Sequence, residues 1–220
     1  MNMRVMVFPN PVPYPEALTL QDKLVTQRQA DEIPDTLLIL EHSPVITMGV
    51  RTKPENLLLS PEALRHRGIE LYETPRGGDV TYHAPGQLIL YPIMKLTGTE
   101  ADAHAFVNKL EEIAILTADA FGVPAFRRKG KTGVWTESGK VAAIGVRFKK
   151  WVSSHGMSFN VDVDLAGFST IIPCGLPGEK VTSLKAILGP TCPTLQEVRA
   201  VIMRQFERET GRTCVWHPER

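Results

Sequence analysis

Few side chains in this sequence have chemistry to offer, and the three cysteines come first. Cys174, Cys192 and Cys214 lie 18 and 22 residues apart, an odd number with no CxxC pair. That pattern excludes a fully paired disulfide framework and gives no thiolate zinc spacing, so a reducing compartment is expected. A nucleophilic cysteine must be ionised. At the ordinary thiol pKa near 8.5 only a few per cent is thiolate at neutral pH, so a basic or cationic neighbour is required. Cys192 sits between Pro190 and Pro193 with no base nearby, and Cys214 falls in a segment that reads as a terminal strand. Cys174 differs, because Ile171, Ile172 and Pro173 lead into it and Gly175 follows. A strand-like stretch ending in such a bend could expose both the thiol and adjacent backbone N–H groups. On local context it reads equally well as a small buried hydrophobe.

The candidate neighbours are histidines and a lysine. His83 in TYHAPGQ and His155 in SSHGMSFN stand beside Gly or Pro in segments that read as site loops, although a structural, hydrogen-bonded role fits them too. His42, His66, His104 and His217 read as ordinary surface residues, and Lys140, after Ser138 and Gly139, as a solvated turn lysine. The segment 76–83, RGGDVTYH, has neither the GxxxxGK[ST] nor the GxGxxG pattern of a phosphate loop. Its adjacent glycines instead allow backbone to approach something flat or chain-like.

These residues need a scaffold, and 220 residues suffice for one domain spanning 1–220. Hydrophobic residues make up 43% and charged residues 22%, as in an ordinary globular chain. Basic and acidic side chains number 25 and 24, so no strong field attracts nucleic acid or a membrane surface. No signal peptide is visible, and the longest stretch free of Asp, Glu, Lys and Arg is 80–94, short of a spanning helix. A soluble, cytoplasmic protein is expected. Apolar periodicity predicts helices over 16–29, 61–67, 101–121 and 195–209, and strands over 36–41, 45–48, 69–73, 80–82, 88–91, 133–136, 140–148 and 158–163. Strands joined by short turns point to an α/β protein of the α+β type, with a mixed, largely antiparallel sheet and flanking helices.

Four segments, RGGDVTYHAPGQLILYP, GVWTESGKVAAIGV, HGMSFNVDVDL and FSTIIPCGL, occur in that order between residues 76 and 176. Together they resemble the lipoyl(octanoyl) transferase family, the octanoyl-[acyl-carrier-protein]:protein N-octanoyltransferases, over about 41–184. The resemblance implies the catalytic-domain fold shared by biotin and lipoate protein ligases. It implies that Cys174 takes the octanoyl group as an enzyme thioester and that Lys140 lowers the thiol pKa and acts as acid and base. It assigns the acyl pocket to Arg76, Gly77, Gly78, Asp79, Val80, Thr81, Tyr82 and His83, to Ala143, Ile144 and Gly145, and to Gly156, Met157 and Ser158. The implied donor is octanoyl-acyl carrier protein; the implied acceptors are lipoyl domains of 2-oxoacid dehydrogenase subunits and the glycine cleavage H protein. The chain departs from the family at Ala84, where Gly is usual, which bears on the backbone φ there. It departs again at Ser158, where Ala is usual, which bears on chain-length preference.

Moving an acyl group from thioester to amine is downhill, so neither ATP nor a metal is expected. An ammonium about 4 Å from a thiolate is worth up to ~4 kcal/mol at an effective dielectric of 20, or about three pKa units. Burying about six methylenes at ~0.8 kcal/mol each supplies roughly 5 kcal/mol, enough for pocket depth to read chain length. Pairing Glu137 with Lys140 would set Arg128 opposite Lys149 and Arg127 opposite Lys150. The hairpin is then expected to gather Arg127, Arg128, Lys129, Lys131, Arg147, Lys149 and Lys150 into a patch for the acidic carrier, roughly 20–25 Å from Lys140. The alternatives are an ATP-dependent lipoate or biotin ligase of the same fold, and a non-catalytic acyl- or carrier-binding module.

Overall fold

The computed structural model describes residues 2–175 and 178–218, the side chains of Cys174, His217 and Pro218 apart. Eleven strands among these residues form two sheets. The large one contains β1 (Asn2–Val7), β2 (Thr36–Leu40), β6 (Gln87–Ile93), β7 (Phe126–Arg128), β8 (Lys131–Thr136), β9 (Gly139–Lys149), β10 (Val152–Asn160) and β11 (Thr213–Pro218), in the order β11-β1-β2-β6-β10-β9-β8-β7. Its first two pairings are parallel and the rest antiparallel. The small sheet has β3 (Val45–Met48) between β4 (Glu70–Glu73) and β5 (Val80–His83). The mixed, largely antiparallel α/β class read from the sequence is the one observed.

The central strands are apolar on both faces because both are covered. Helix α3 (Ala103–Asp119) begins where the Asp102 carboxylate accepts from the N–H groups of His104 and Ala105. Helix α5 (Leu195–Thr210) opens on a Thr194/Glu197 capping box and stops at Gly211. Together they bury Phe106, Leu110, Ile113, Val198, Ile202 and Phe206 against one face of the large sheet. Helix α1 (Tyr14–Gln29) lays Ala17, Leu24 and Val25 on the other face, against Leu38, Leu40 and Ile89. The short helix α2 (Pro61–His66) packs Leu64 against the small sheet, with Ile46, Val80, Tyr82 and Phe168. A further short helix, α4 (Leu184–Leu188), follows the candidate nucleophile.

The structure corrects the expected hairpin register. Trp135 pairs with Lys140 and Thr136 with Gly139, with a bulge between Val134 and Trp135. The chain also turns at residues 129–130, so β7 pairs with β8 and never reaches β9. Arg127 and Arg128 therefore lie one strand farther out than expected and do not face Lys150 and Lys149. They are also already neutralised. Arg127 pairs with Glu111 at 3.0 Å and Glu112 at 2.8 Å, and Arg128 with Glu179 at 2.8 Å, which Lys131 also contacts. The strand pairings expected to build the seven-residue basic patch are not the ones present.

Candidate active site

A cavity of about 450 Å³ opens where β9, β10, β5 and the 76–79 turn converge. Of the residues that the family resemblance assigned to substrate or chemistry, Lys140, Arg76, Gly77, Gly78, Asp79, Thr81 and His83 line it. Ala143, Ile144, Gly145, Gly156, Met157 and Ser158 line it as well. The two strand stretches meet in register across β9 and β10, with Gly156 opposite Gly145, Met157 opposite Ile144 and Ser158 opposite Ala143. Val80 and Tyr82 do not reach the cavity. Alternation along β5 turns them into the small-sheet core, where the Tyr82 ring meets Phe168 edge-on at 5.4 Å.

Lys140, expected as a solvated turn residue, is 4% exposed. Its ammonium donates to the Thr132 carbonyl at 2.9 Å and lies 4.8 Å from the centre of the Trp135 ring. Its backbone is bonded to the chain leaving the candidate nucleophile: the Lys140 N–H donates to Lys180 O at 2.8 Å, and the Thr182 N–H donates to Lys140 O at 2.9 Å. Cys174 itself has its backbone in the 3-10 turn Pro173–Gly175, while its side chain lies outside the described residues, as does Leu176 of the same motif. The turn is anchored upstream, where the Ile172 N–H donates to Asn56 O at 2.8 Å. Asn56 also donates to the Asp79 carboxylate at 2.8 Å. That carboxylate presses on Gly175, where a Cβ would come within 2.3 Å of Asp79 Oδ2 and where φ is +64°. Only glycine fits there. At the Ala84 departure, the positive φ of the turn falls on Gly86 (88°) and not on Ala84.

Polar residues gather away from Lys140. The Arg76 guanidinium is buried and donates to the Thr47 carbonyl at 2.6 Å and the Gly77 carbonyl at 3.0 Å. His83 Nδ1–H donates to Gln87 Oε1 at 2.6 Å, and Gln87 donates onward to Asn160 at 2.8 Å. His155 holds φ +55° in the middle of β10, and its N–H leaves the ladder for Gln21 Oε1 at 2.7 Å. His42, expected at the surface, is fully buried. Its Nδ1–H donates to the Val12 carbonyl at 2.7 Å, which leaves Nε2 to accept from Tyr91 at 2.9 Å. The rings of His42 and His83 stand 5.7 Å apart, and Tyr91 and His155 6.0 Å. Burial drives the three imidazoles to about 4 for His42 and about 3 for His83 and His155, with nearby positive charge, Arg76 included, adding to the effect at His83 and His155. All three are neutral at pH 7. Burial raises the Tyr91 phenol well above its usual value. Sequence reasoning missed His42 and Tyr91; the signal was their placement beside two fully apolar strands, which leaves a polar side chain nowhere to go but inward.

The other thiols lie away from the cavity. Burial raises both, Cys192 modestly and Cys214 to about 12, the latter with help from Glu207. Each is therefore held as a thiol.

The cavity is thus walled by a strand pair, with the buried Lys140 among its lining residues. Residues 13–207 match the family described as the lipoyl protein ligase A/B catalytic domain. A bi-partite lipoate protein ligase from Thermoplasma acidophilum superposes with a TM-score of 0.77 at 16% identity, covering all of this chain and 88% of that one, a likeness of fold. Closer in sequence are proteins named octanoyltransferase. That of Caldicellulosiruptor saccharolyticus is 50% identical over 180 residues, 81% of this chain and 77% of that protein. That of Syntrophotalea carbinolica is 45% identical over 196 residues, 89% of each. The chain belongs to the octanoyltransferase family and is an acyltransferase. Among the described residues no helix is long and apolar enough to cross a membrane.

Proposed function

We propose that this enzyme moves an octanoyl group from acyl carrier protein to the ε-amine of a lysine on a lipoyl domain, through a thioester on Cys174, with no ATP and no metal. The observation that carries the reading is the stitching of the chain just past residue 174 to Lys140, whose ammonium borders the cavity. Backbone bonds from Lys180 and Thr182 to Lys140 support a reading in which the Cys174 turn and the lysine work as a dyad. In the first step the Cys174 thiolate attacks the thioester carbonyl. A new C–S bond forms, the carrier's thiolate leaves, and Lys140 supplies its proton. In the second step the acceptor amine attacks, Cys174 departs as thiolate, and the amine proton passes to neutral Lys140. The acyl chain lies along Ala143 to Gly145 and Gly156 to Ser158, while Val80 and Tyr82 pack behind β5, whose Thr81 and His83 line the cavity. The raised thiol pKa of Cys192 and Cys214 supports Cys174 by comparison, since neither of the others ionises at neutral pH. The acceptors belong to the lipoyl domains of 2-oxoacid dehydrogenases and the glycine cleavage H protein. A lipoyl domain accompanies the ligase of similar fold from Thermoplasma acidophilum.

The test is intact mass after incubation with octanoyl-carrier protein in the absence of ATP. An octanoyl adduct that disappears in Cys174→Ser is expected. No adduct from the carrier thioester, with modification of the lipoyl domain only when free octanoate and ATP are present, would identify a ligase instead.

A further inference from the structure

A lysine that gives up a proton in the first step and takes one back in the second needs its ammonium fixed in place by a group that does not itself bind the proton. The surroundings of Lys140 supply such a holder. Trp135 is its cross-strand partner and is 1% exposed. The centre of the Trp135 ring lies 4.8 Å from Lys140 Nζ and 4.4 Å from the Arg128 guanidinium carbon. Both are within the range where a ring face attracts a cation. The indole N–H donates to Lys131 O at 3.3 Å, which fixes the ring plane. Arg128 is in turn paired with Glu179 at 2.8 Å, a few residues past the Cys174 turn. Space for the ammonium is kept by Gly133. A Cβ there would come within 3.1 Å of Lys140 Cε, 3.2 Å of Nζ and 2.7 Å of Ala142 O, and φ is +117°.

We propose that Trp135 is the positioning residue of the dyad: its ring face holds the Lys140 ammonium where it stabilises the Cys174 thiolate. The inference rests on the Cys174/Lys140 reading above. A π face suits this duty because it favours the cation by a modest amount and accepts no proton itself. Such a contact leaves the proton of Lys140 transferable. A carboxylate in that role would hold the proton too firmly for the first step. The Glu179–Arg128 pair extends the contact from the ring to the segment carrying the nucleophile, so ring and turn move together.

The experiment reads the pH dependence of Cys174 alkylation, followed by mass at that peptide, in the full chain. The protein has three tryptophans. Trp151→Phe and Trp216→Phe, both at exposed positions, leave Trp135 alone to be replaced biosynthetically by mono- to tetrafluorotryptophan. Fluorine drains the ring face while nearly keeping its shape. The alkylation midpoint should climb stepwise with fluorine number, by about half to one pH unit in total. Trp135→Phe should keep most of the wild-type midpoint, and Trp135→Leu should lose it. Fluorination is informative even if the Leu variant does not fold. A midpoint moved by Lys140→Ala but unchanged through the fluorine series would overturn the role of Trp135. A wild-type midpoint that Lys140→Ala also leaves in place would refute the dyad itself, and the inference with it.

Discussion

Acidification from pH 7 to pH 5 should weaken this fold by about 6 kcal/mol, and the three buried imidazoles are the reason. Folded, His42 titrates at about 4 and His83 and His155 at about 3, against 6.5 in the unfolded chain. Their folded values are depressed, so as pH falls below 6.5 the unfolded chain takes up protons that the native state refuses, and the equilibrium shifts toward unfolding. Each group contributes about 1.36 kcal/mol per pH unit once well inside that window, or roughly 1.9 kcal/mol between pH 7 and 5. Three give about 6 kcal/mol, against a typical total of about 5–15 kcal/mol. Carboxylates held low by ion pairs, such as Glu100 beside Arg212, add their own loss only below about 4.5, so the windows separate. Urea titrations at pH 7, 6 and 5 measure the effect. His42→Gln should remove about a third of the slope. An unfolding free energy constant within about 1 kcal/mol from pH 7 to 5 would refute the claim that these rings stay neutral because they are buried.

Lys140→Ala should keep the thermal midpoint near wild type and lose most octanoyl transfer; wild-type turnover would remove Lys140 from the mechanism. Ser158→Leu fills cavity volume between Ala143 and Ile89, its strand neighbours. It should shift preference from octanoyl toward hexanoyl, by about fourfold per methylene lost at ~0.8 kcal/mol, as competition between the two carrier thioesters would read. Asp35→Asn takes the charge from a buried carboxylate that Arg28 meets at 2.7 Å and Arg212 at 3.3 Å. A loss of about 3–5 kcal/mol is expected from calorimetry, with Michaelis constants unchanged.

Much of the architecture was legible because its signals are local. Helical periodicity located α1, α3 and α5 to within two residues, and apolar runs marked β2, β3 and β6. β1 escaped notice because Arg4 and two methionines dilute its pattern, and its pairing with β2 and β11 joins residues far apart in sequence. The first half of β10 was read as a loop because Ser153, Ser154, His155 and Gly156 are not strand formers; their burial is imposed by Pro92, Met94 and Gln21 around them. The hairpin register failed for a sharper reason. A bulge at Val134 and Trp135 shifts the count, and the turn at 129–130 inserts a strand that charge spacing does not reveal. Cavity residues, by contrast, follow from motif order, with strand alternation deciding which of 76–83 face inward. The neutral histidine cluster was not legible, because His42 meets the others only once β2, β6 and β10 are assembled.

Residues 165–175 bond to one sheet and residues 178–182 to the other. The Leu58 N–H donates to Thr170 O at 2.9 Å and the Ile172 N–H to Asn56 O at 2.8 Å on the small-sheet side; Lys140 and Asn160 hold Lys180 and Thr182 on the large-sheet side. These bonds, together with that of the Gly77 N–H to Val146 O at 2.9 Å and that of His83 to Gln87 at 2.6 Å, splice the two sheets. A partial opening that parts the small sheet from the large one would therefore break the catalytic unit while leaving the helix-covered core intact. Activity should then fail at lower denaturant than the global transition, and amide exchange at Ile172, Lys140 and Thr182 should report a common free energy smaller than that of the core strands. The enzyme's working lifetime is set by how tightly two sheets stay spliced, and not by the strength of either one.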